Sequence, residues 1–217
     1  MLKIFIANGS ISLAPLILLE EVGAQYEAML IDLSRDEQRQ DAYLEINPKG
    51  RVPSLVTEDG ILTETCAILV YIAHRFGSED LASMGDPFLF GRIQEFNSYL
   101  ASTVHVAHAH RLRGTRWVSD QAALEAMQKK VPEVMTQAVT LVEDALLQGP
   151  WVMGDTYTIC DPYLFTISRW LEEAEAVLAL TKGPQIVCGS SMGGWIALLL
   201  ARRQLAKGTP LKGLVLL

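Results

Sequence analysis

The step Val52-Pro53, followed at once by Ser54-Leu55, sets the tightest limit on how this chain can fold. A proline cannot donate to a sheet ladder, so its strand begins there or lies at an edge, and X-Pro is the bond type for which cis geometry is cheap. The sequence therefore predicts a turn at Pro53 that exposes the Val52 backbone as a docking edge for an extended peptide. A few residues on, Glu64-Thr65 opens the helical run Ala67-Ile68-Leu69-Tyr71-Ile72. Free amides at such a helix start favour a carboxylate.

Around these two points the apolar pattern gives an order of elements. Leu2 to Ile6 reads as a buried strand, Asn8-Gly9-Ser10 as a turn, and Leu13 to Val22 as a helix stopped by Gly23. Tyr26 to Ile31 is a second strand and Ser34 to Asp41 a loop or short helix. The Pro53 strand, a hairpin at Glu58-Asp59-Gly60, a strand Ile61-Leu62-Thr63 and a helix from Thr65 to about Arg75 follow. This β-α-β-(α)-β-β-α order is thioredoxin-like. Residues 1–77 are expected to form that domain, 78–87 a linker, and 88–176 an all-α domain with long helices from Phe88 to His110 and Asp120 to Leu147, the latter kinked or broken at Pro132.

Composition removes several classes of function. A net charge of -7 leaves no basic stripe to neutralise phosphates, so no nucleic-acid partner is expected. Cys66, Cys160 and Cys188 are odd in number and contain no CxxC pair, which predicts neither a disulfide framework nor a thiolate zinc site and fits a reducing, cytoplasmic setting. His105 and His108 share a helix face while His110 points away, so no metal is expected there. Asn8-Gly9-Ser10 and Glu20-Glu21 interrupt the apolar start, which is read as strand, turn and helix and not as a signal peptide. No apolar run is long enough to cross a bilayer, so no membrane is expected.

Val52-Pro53 with Glu64-Thr65 resembles the glutathione-binding half of the glutathione transferases, which use a cis-proline loop and a Glu-Ser or Glu-Thr step in this order. Ser12-Leu13-Ala14, Asn47-Pro48-Lys49-Gly50, Tyr163-Leu164-Phe165-Thr166 and Arg169-Trp170 bring the chain nearest to the bacterial beta-type enzymes, over about residues 1–175. The resemblance implies the glutathione transferase fold, with glutathione as co-substrate, a small apolar electrophile as its partner in the reaction, no metal, and a homodimer. It implies that the Val52 backbone, beside Pro53, pairs with the cysteinyl unit, that Glu64 holds the γ-glutamyl ammonium, and that Thr65 takes the γ-glutamyl carboxylate. Lys49 or Arg51 either meets the glycyl carboxylate or is a solvated loop charge.

Conjugation requires the thiol to be held as thiolate, which a helix N-terminus with a nearby hydroxyl favours. Ser10 and Ser12 are the candidates, and both are also good N-cap residues. The beta-type enzymes carry a cysteine where this chain has Ile11, which excludes a mixed disulfide there. The tyrosine of other classes is replaced by Ile6. His105 matches a histidine that approaches the sulfur from the second domain. Gly154-Asp155-x-x-Thr158-x-x-Asp161 is similar to the family's C-terminal folding motif, with Thr158 and Asp161 at capping-box spacing before a helix from Tyr163 to Glu172. A non-catalytic glutathione- or partner-binding module is the alternative reading.

The end of the chain departs from that family. Gly189-Ser190-Ser191-Met192-Gly193, between an apolar strand and a helix, resembles the nucleophile elbow of α/β-hydrolases, with Ser191 at the nucleophile position. Residues 192–217 contain no Asp, Glu or His, so a triad in that family's order cannot be completed and esterase activity is the third, least favoured reading. Residues 183–217 are too few to bury their own faces and are expected not to form an independent domain.

Overall fold

A computed structural model of the 217-residue chain describes residues 1–77 and 79–170, and the backbone of two later strands, 186–189 and 213–216. It divides into two compact units, residues 1–98 with 157–166, and residues 99–156 with 167–217. The expected segment limits at 77 and 88 both fall inside the first unit.

In the first unit, β1 (Leu2–Ile6), β2 (Tyr26–Leu30), β3 (Ser54–Val56) and β4 (Ile61–Thr63) form one sheet in the order β2-β1-β3-β4. β1 pairs in parallel with β2, Leu2 facing Tyr26, and antiparallel with β3, Phe5 facing Ser54; β3 and β4 are the predicted hairpin. Helix α1 (Leu13–Glu21) tolerates Pro15 because first-turn amides have no partner within the helix. Helix α2 (Asp41–Leu44) is a single turn, which the polar sequence around it hides; the stretch before it forms two short 3-10 turns, Leu33–Arg35 and Glu37–Arg39. Helix α3 (Thr65–Phe76) presents Ile68, Leu69, Ile72 and Ala73 at helical spacing and packs on α1. Ile4, Leu18, Leu19, Leu55, Ile68, Leu69 and Ile72 are fully buried, each contributing about 1.5–3 kcal/mol relative to exposure.

Two further helices complete this unit. Most of α4 (Pro87–Tyr99) and α7 (Cys160–Ser168) belong to it, and α7 starts on the predicted capping box. The Asp161 carboxylate accepts the Thr158 N–H at 2.7 Å, and Thr158 Oγ1 accepts the Cys160 N–H at 3.3 Å. Both residues are almost fully buried. The expected linker is partly internal, because Ala82 is fully buried and the Leu81 carbonyl accepts the Ile159 N–H at 2.9 Å.

The second unit opens with a π-helical turn, Leu100–Val104, that runs directly into α5 (His105–Arg113). A short 3-10 turn then leads to α6 (Gln121–Leu141), capped by Asp120, whose carboxylate accepts the Ala123 N–H at 2.8 Å. Helix α6 passes through Pro132 without a break, correcting one of the two expected outcomes there. A proline removes one backbone bond, here to the Gln128 carbonyl, while Val131, Met135 and Ala138 hold the helix by burial. Strands β5 (Ile186–Gly189) and β6 (Gly213–Leu216) pair in parallel, Ile186 opposite Gly213. The elbow with Ser191 and Met192, and the helix expected after it, lie outside the described residues.

Candidate functional site

The loop carrying Val52 is fixed from beneath by a buried polar cluster. Asn47 Nδ2 donates to the Arg51 carbonyl at 2.7 Å and to Ser54 Oγ at 3.1 Å, and its Oδ1 accepts the Lys49 N–H at 3.1 Å. The Tyr43 hydroxyl donates to the same Arg51 carbonyl at 2.7 Å and lies 2.9 Å from Ser54 Oγ. Tyr43, Asn47 and Ser54 are 3%, 1% and 0% exposed, so the bonds among them are made away from water, while those to the Lys49 and Arg51 backbone are part-buried. Burial pushes the Tyr43 phenol up, keeping it a donor. Gly50 sits at φ +59 with the Gln38 carbonyl 3.0 Å from where a Cβ would lie, so only glycine suits the tight return. The Val52-Pro53 bond is cis. Val52 itself precedes β3 and stands outside the ladder pairs.

At the other end of the β3-β4 hairpin, Glu64 takes φ +74 just ahead of α3 and makes no side-chain cap bond. A non-glycine residue in that region is strained by about 1–3 kcal/mol, and such strain concentrates at binding sites. Thr65, nearly buried, is the first helical residue, so the opening amides of α3 follow directly on the Glu64 carboxylate. Lys49 Nζ reaches Glu64 Oε1 at 2.6 Å and Thr63 Oγ1 at 2.8 Å. Of the two loop cations read from sequence, Lys49 thus sits at Glu64, while the Arg51 side chain is exposed and only its carbonyl is anchored.

Ser10 and Ser12 both turn back onto Ala7, at the end of β1. Ser12 Oγ accepts the Ala7 N–H at 3.0 Å and lies 2.5 Å from Ser10 Oγ, which in turn donates to the Ala7 carbonyl at 2.8 Å. Ser12 occupies the N-cap position of α1 but makes no side-chain cap bond, so the simple capping role does not describe its hydroxyl. Ser12 is 1% exposed and Ser10 only part-buried; Ile11 between them is packed in the core.

His105 lies on α5 in the second unit, its ring centroid 4.9 Å from that of Trp170, and His108 stacks on the same indole at 4.7 Å. His110 packs instead on Trp117, so the shared and separate faces are as the helical spacing predicts. Among the described residues no group of three or more His, Cys, Asp or Glu side chains is placed to hold a metal, and no helix is long and apolar enough to cross a membrane.

Cys66 adjoins Thr65, yet its thiol donates to the Asn97 carbonyl at 3.5 Å and burial, the leading cause, pushes its pKa up. A raised thiol pKa means less thiolate at neutral pH. Peptide-mapped alkylation at pH 7.5 is therefore expected to modify Cys66 at least about tenfold more slowly than a free cysteine peptide; labelling at the peptide's rate would contradict this burial.

Tyr43, Asn47 and Ser54 are the residues that sequence reading passed over as part of the site. A signal for Asn47 was present, because Asn-Pro-x-Gly is an Asx-turn pattern and the Asn47 side chain closes that turn. The Lys49-Glu64 pair had none, since its members meet only through the fold.

Residues 1–74 match the family described as glutathione S-transferase, N-terminal domain. The chain is 30% identical over 171 residues to glutathione S-transferase GstA of Escherichia coli O157:H7, covering 78% of this chain and 82% of that one. Against glutathione S-transferase GST-4.5 of Xanthomonas campestris pv. campestris, identity is 29% over 174 residues, with 80% and 84% covered. A solved glutathione transferase homolog from Sulfitobacter with bound glutathione superposes with a TM-score of 0.79 at 37% identity, covering 96% of each chain. The hydrolase-like reading of residues 183–217 gains no support from these relatives.

Proposed function

The chain belongs to the glutathione S-transferase family, and from that footing we propose that it is an enzyme joining the glutathione thiolate to small apolar electrophiles. The observation that carries the reading is the pairing, within one unit, of the cis Val52-Pro53 loop with an uncapped helix start at Glu64-Thr65. An extended tripeptide laid along Val52 would set its cysteinyl amide against that backbone and its γ-glutamyl end on Glu64 and Thr65. Lys49 joins the same end of the site. Its ion pair with Glu64 is about half exposed on both sides and so contributes only about 0–1 kcal/mol, which a ligand ammonium on Glu64 readily replaces.

The ligand's own carboxylate then takes Lys49 and the amides of α3, so the exchange leaves no charge alone. Replacing Glu64 by alanine is expected to weaken glutathione binding about 10–100-fold by calorimetry, the worth of one charge-assisted contact. Melting should move little, because the Lys49 pair is exposed.

Glutathione conjugation to an aryl halide, measured beside calorimetric binding of glutathione, tests the function. Both are expected. Binding without conjugation would favour a non-catalytic module, a reading that Ile6 and Ile11, in place of the family's tyrosine and cysteine, keep in view. In this reading the protein works as a homodimer in the cytoplasm, where Cys66 and Cys160 stay as the free thiols described.

A further inference from the structure

Helix α3 is entered through a strained residue, Glu64 at φ +74, and such a conformation persists only where its surroundings over-determine it. The outer contacts do not supply that hold. Glu64 makes no side-chain cap bond, and its ion pair with Lys49 is about half exposed. Burial of Ile68, Leu69 and Ile72 secures the body of α3, yet apolar contact is non-directional and leaves the aim of the first turn open. A directional contact is needed at the first turn itself, whose amides have no acceptor within the helix.

Cys66, the second helical residue, makes that contact on the inner side. Its thiol donates to the Asn97 carbonyl of α4 at 3.5 Å, and the hydroxyl of Tyr163 on α7, 1% exposed, hydrogen-bonds the same sulfur. Chemistry assigns both protons. A backbone carbonyl only accepts, so the thiol proton lies towards Asn97, and the phenol is left to donate to the sulfur. One turn earlier on α4, the Cys160 thiol of α7 donates to the Ile93 carbonyl at 3.6 Å, so α4 and α7 are tied to each other beside the place where both hold Cys66. This spot is not optimised for stability. Asn97 is 0% exposed, and among the described residues neither its Oδ1 nor its Nδ2 has a partner. Like the strain at Glu64, such unpaired buried groups call for a reason other than stability.

Resting on the glutathione reading above, we propose that Cys66 is a positioning residue for γ-glutamyl recognition: tied to Asn97 and Tyr163, it aims the first turn of α3 so that Thr65 and the opening amides meet the γ-glutamyl carboxylate already ordered. The thiol neither ionises nor reacts in this role. It acts through the backbone of its neighbour Thr65, and Tyr163 acts through Cys66.

The test uses the full chain and its Cys66→Ala, Cys66→Ser and Tyr163→Phe variants. Two ligands are compared by calorimetry: glutathione, and 4-aminobutyryl-cysteinylglycine, which is glutathione without its γ-glutamyl carboxylate. Cys66→Ala is expected to weaken glutathione about 3–10-fold, the effect of one neutral hydrogen bond, while the analogue changes less than about twofold. Conjugation of an aryl halide should show the same loss in KM for glutathione with kcat within about twofold, because the group lost orders the ligand's far end and not its sulfur. Cys66→Ser, which keeps a donor, restores most of the affinity. Tyr163→Phe shows the same ligand preference at about two- to fivefold.

Equal weakening of both ligands overturns the assignment, since general loosening of the unit does not distinguish them, and so does an effect confined to kcat. Should Cys66→Ala fail to fold, Tyr163→Phe decides by the same comparison, and if the analogue binds the parent too weakly to measure, the division between KM and kcat decides. If the parent chain binds no glutathione, the functional reading falls and this role with it; if it binds glutathione and Cys66→Ala binds it equally well, only the role of Cys66 falls.

Discussion

Asp161→Ala is expected to lower the melting temperature by roughly 5–15 °C, the largest stability change foreseen for one side chain in the first unit. The carboxylate accepts the Thr158 N–H at 2.7 Å and the Thr158 hydroxyl at 3.2 Å, with both residues almost wholly buried. Its removal loses a helix cap, about 0.5–2 kcal/mol, and leaves a buried amide without an acceptor, about 1–3 kcal/mol. The sum, about 1.5–5 kcal/mol, is a large share of a typical domain's stability. Asp161→Asn keeps an acceptor and should recover part of the loss. Asp155, exposed in the same motif, provides the contrast: its alanine variant should stay within about 0.5 kcal/mol of the parent. Calorimetric melts of the three variants decide the matter, and equal effects at 155 and 161 would remove the capping box as the cause.

Asn47→Ala is expected to damage both stability and binding. Truncation leaves the Lys49 N–H without the acceptor that closes its turn and deprives the Arg51 carbonyl of one of two donors. The cost is about 1–3 kcal/mol, because the Asn47 side chain is buried, its bond to Ser54 Oγ is lost away from water, and the two backbone bonds are part-buried. Arg51 is the residue before Val52, so the docking backbone loosens as well. Glutathione affinity should fall about tenfold or more as the ordering of that loop is transferred to the binding step. Tyr43→Phe removes one donor to the same carbonyl while keeping the ring against Phe5, and should show a smaller version of the same two effects. A variant of Asn47 that melts lower but binds glutathione as the parent does would detach the cluster from the site.

How far these features could be read from sequence follows from how local each one is. β1, the β3-β4 hairpin, α3 and the capping box came from patterns a few residues long, and the cis step at Val52-Pro53 is the geometry that Pro53 made cheap. The sequence predicts only a loop or short helix ending at Asp41, where α2 in fact begins, because four residues carry too little periodicity to fix its limits. Pro132 pointed to a kink or break, and burial of its neighbours overrode local propensity. The Ser10-Ser12 contact and the Lys49-Glu64 pair depend on where side chains turn after the sheet has formed. Sequence named all four residues but could not pair them.

The π-helical turn at Leu100–Val104 has a consequence for counting along the chain. Such a turn holds one residue more than an α-helical turn does, so the side chains of α5 are rotated by about 100° from where an α-helical turn over Leu100–Val104 would put them. His105 and His108 meet Trp170 in that advanced phase. The extra residue behaves as an insertion that the helix has absorbed without breaking. Removing one residue between 100 and 104 would restore the regular winding, and the histidines would then turn to a different side of α5.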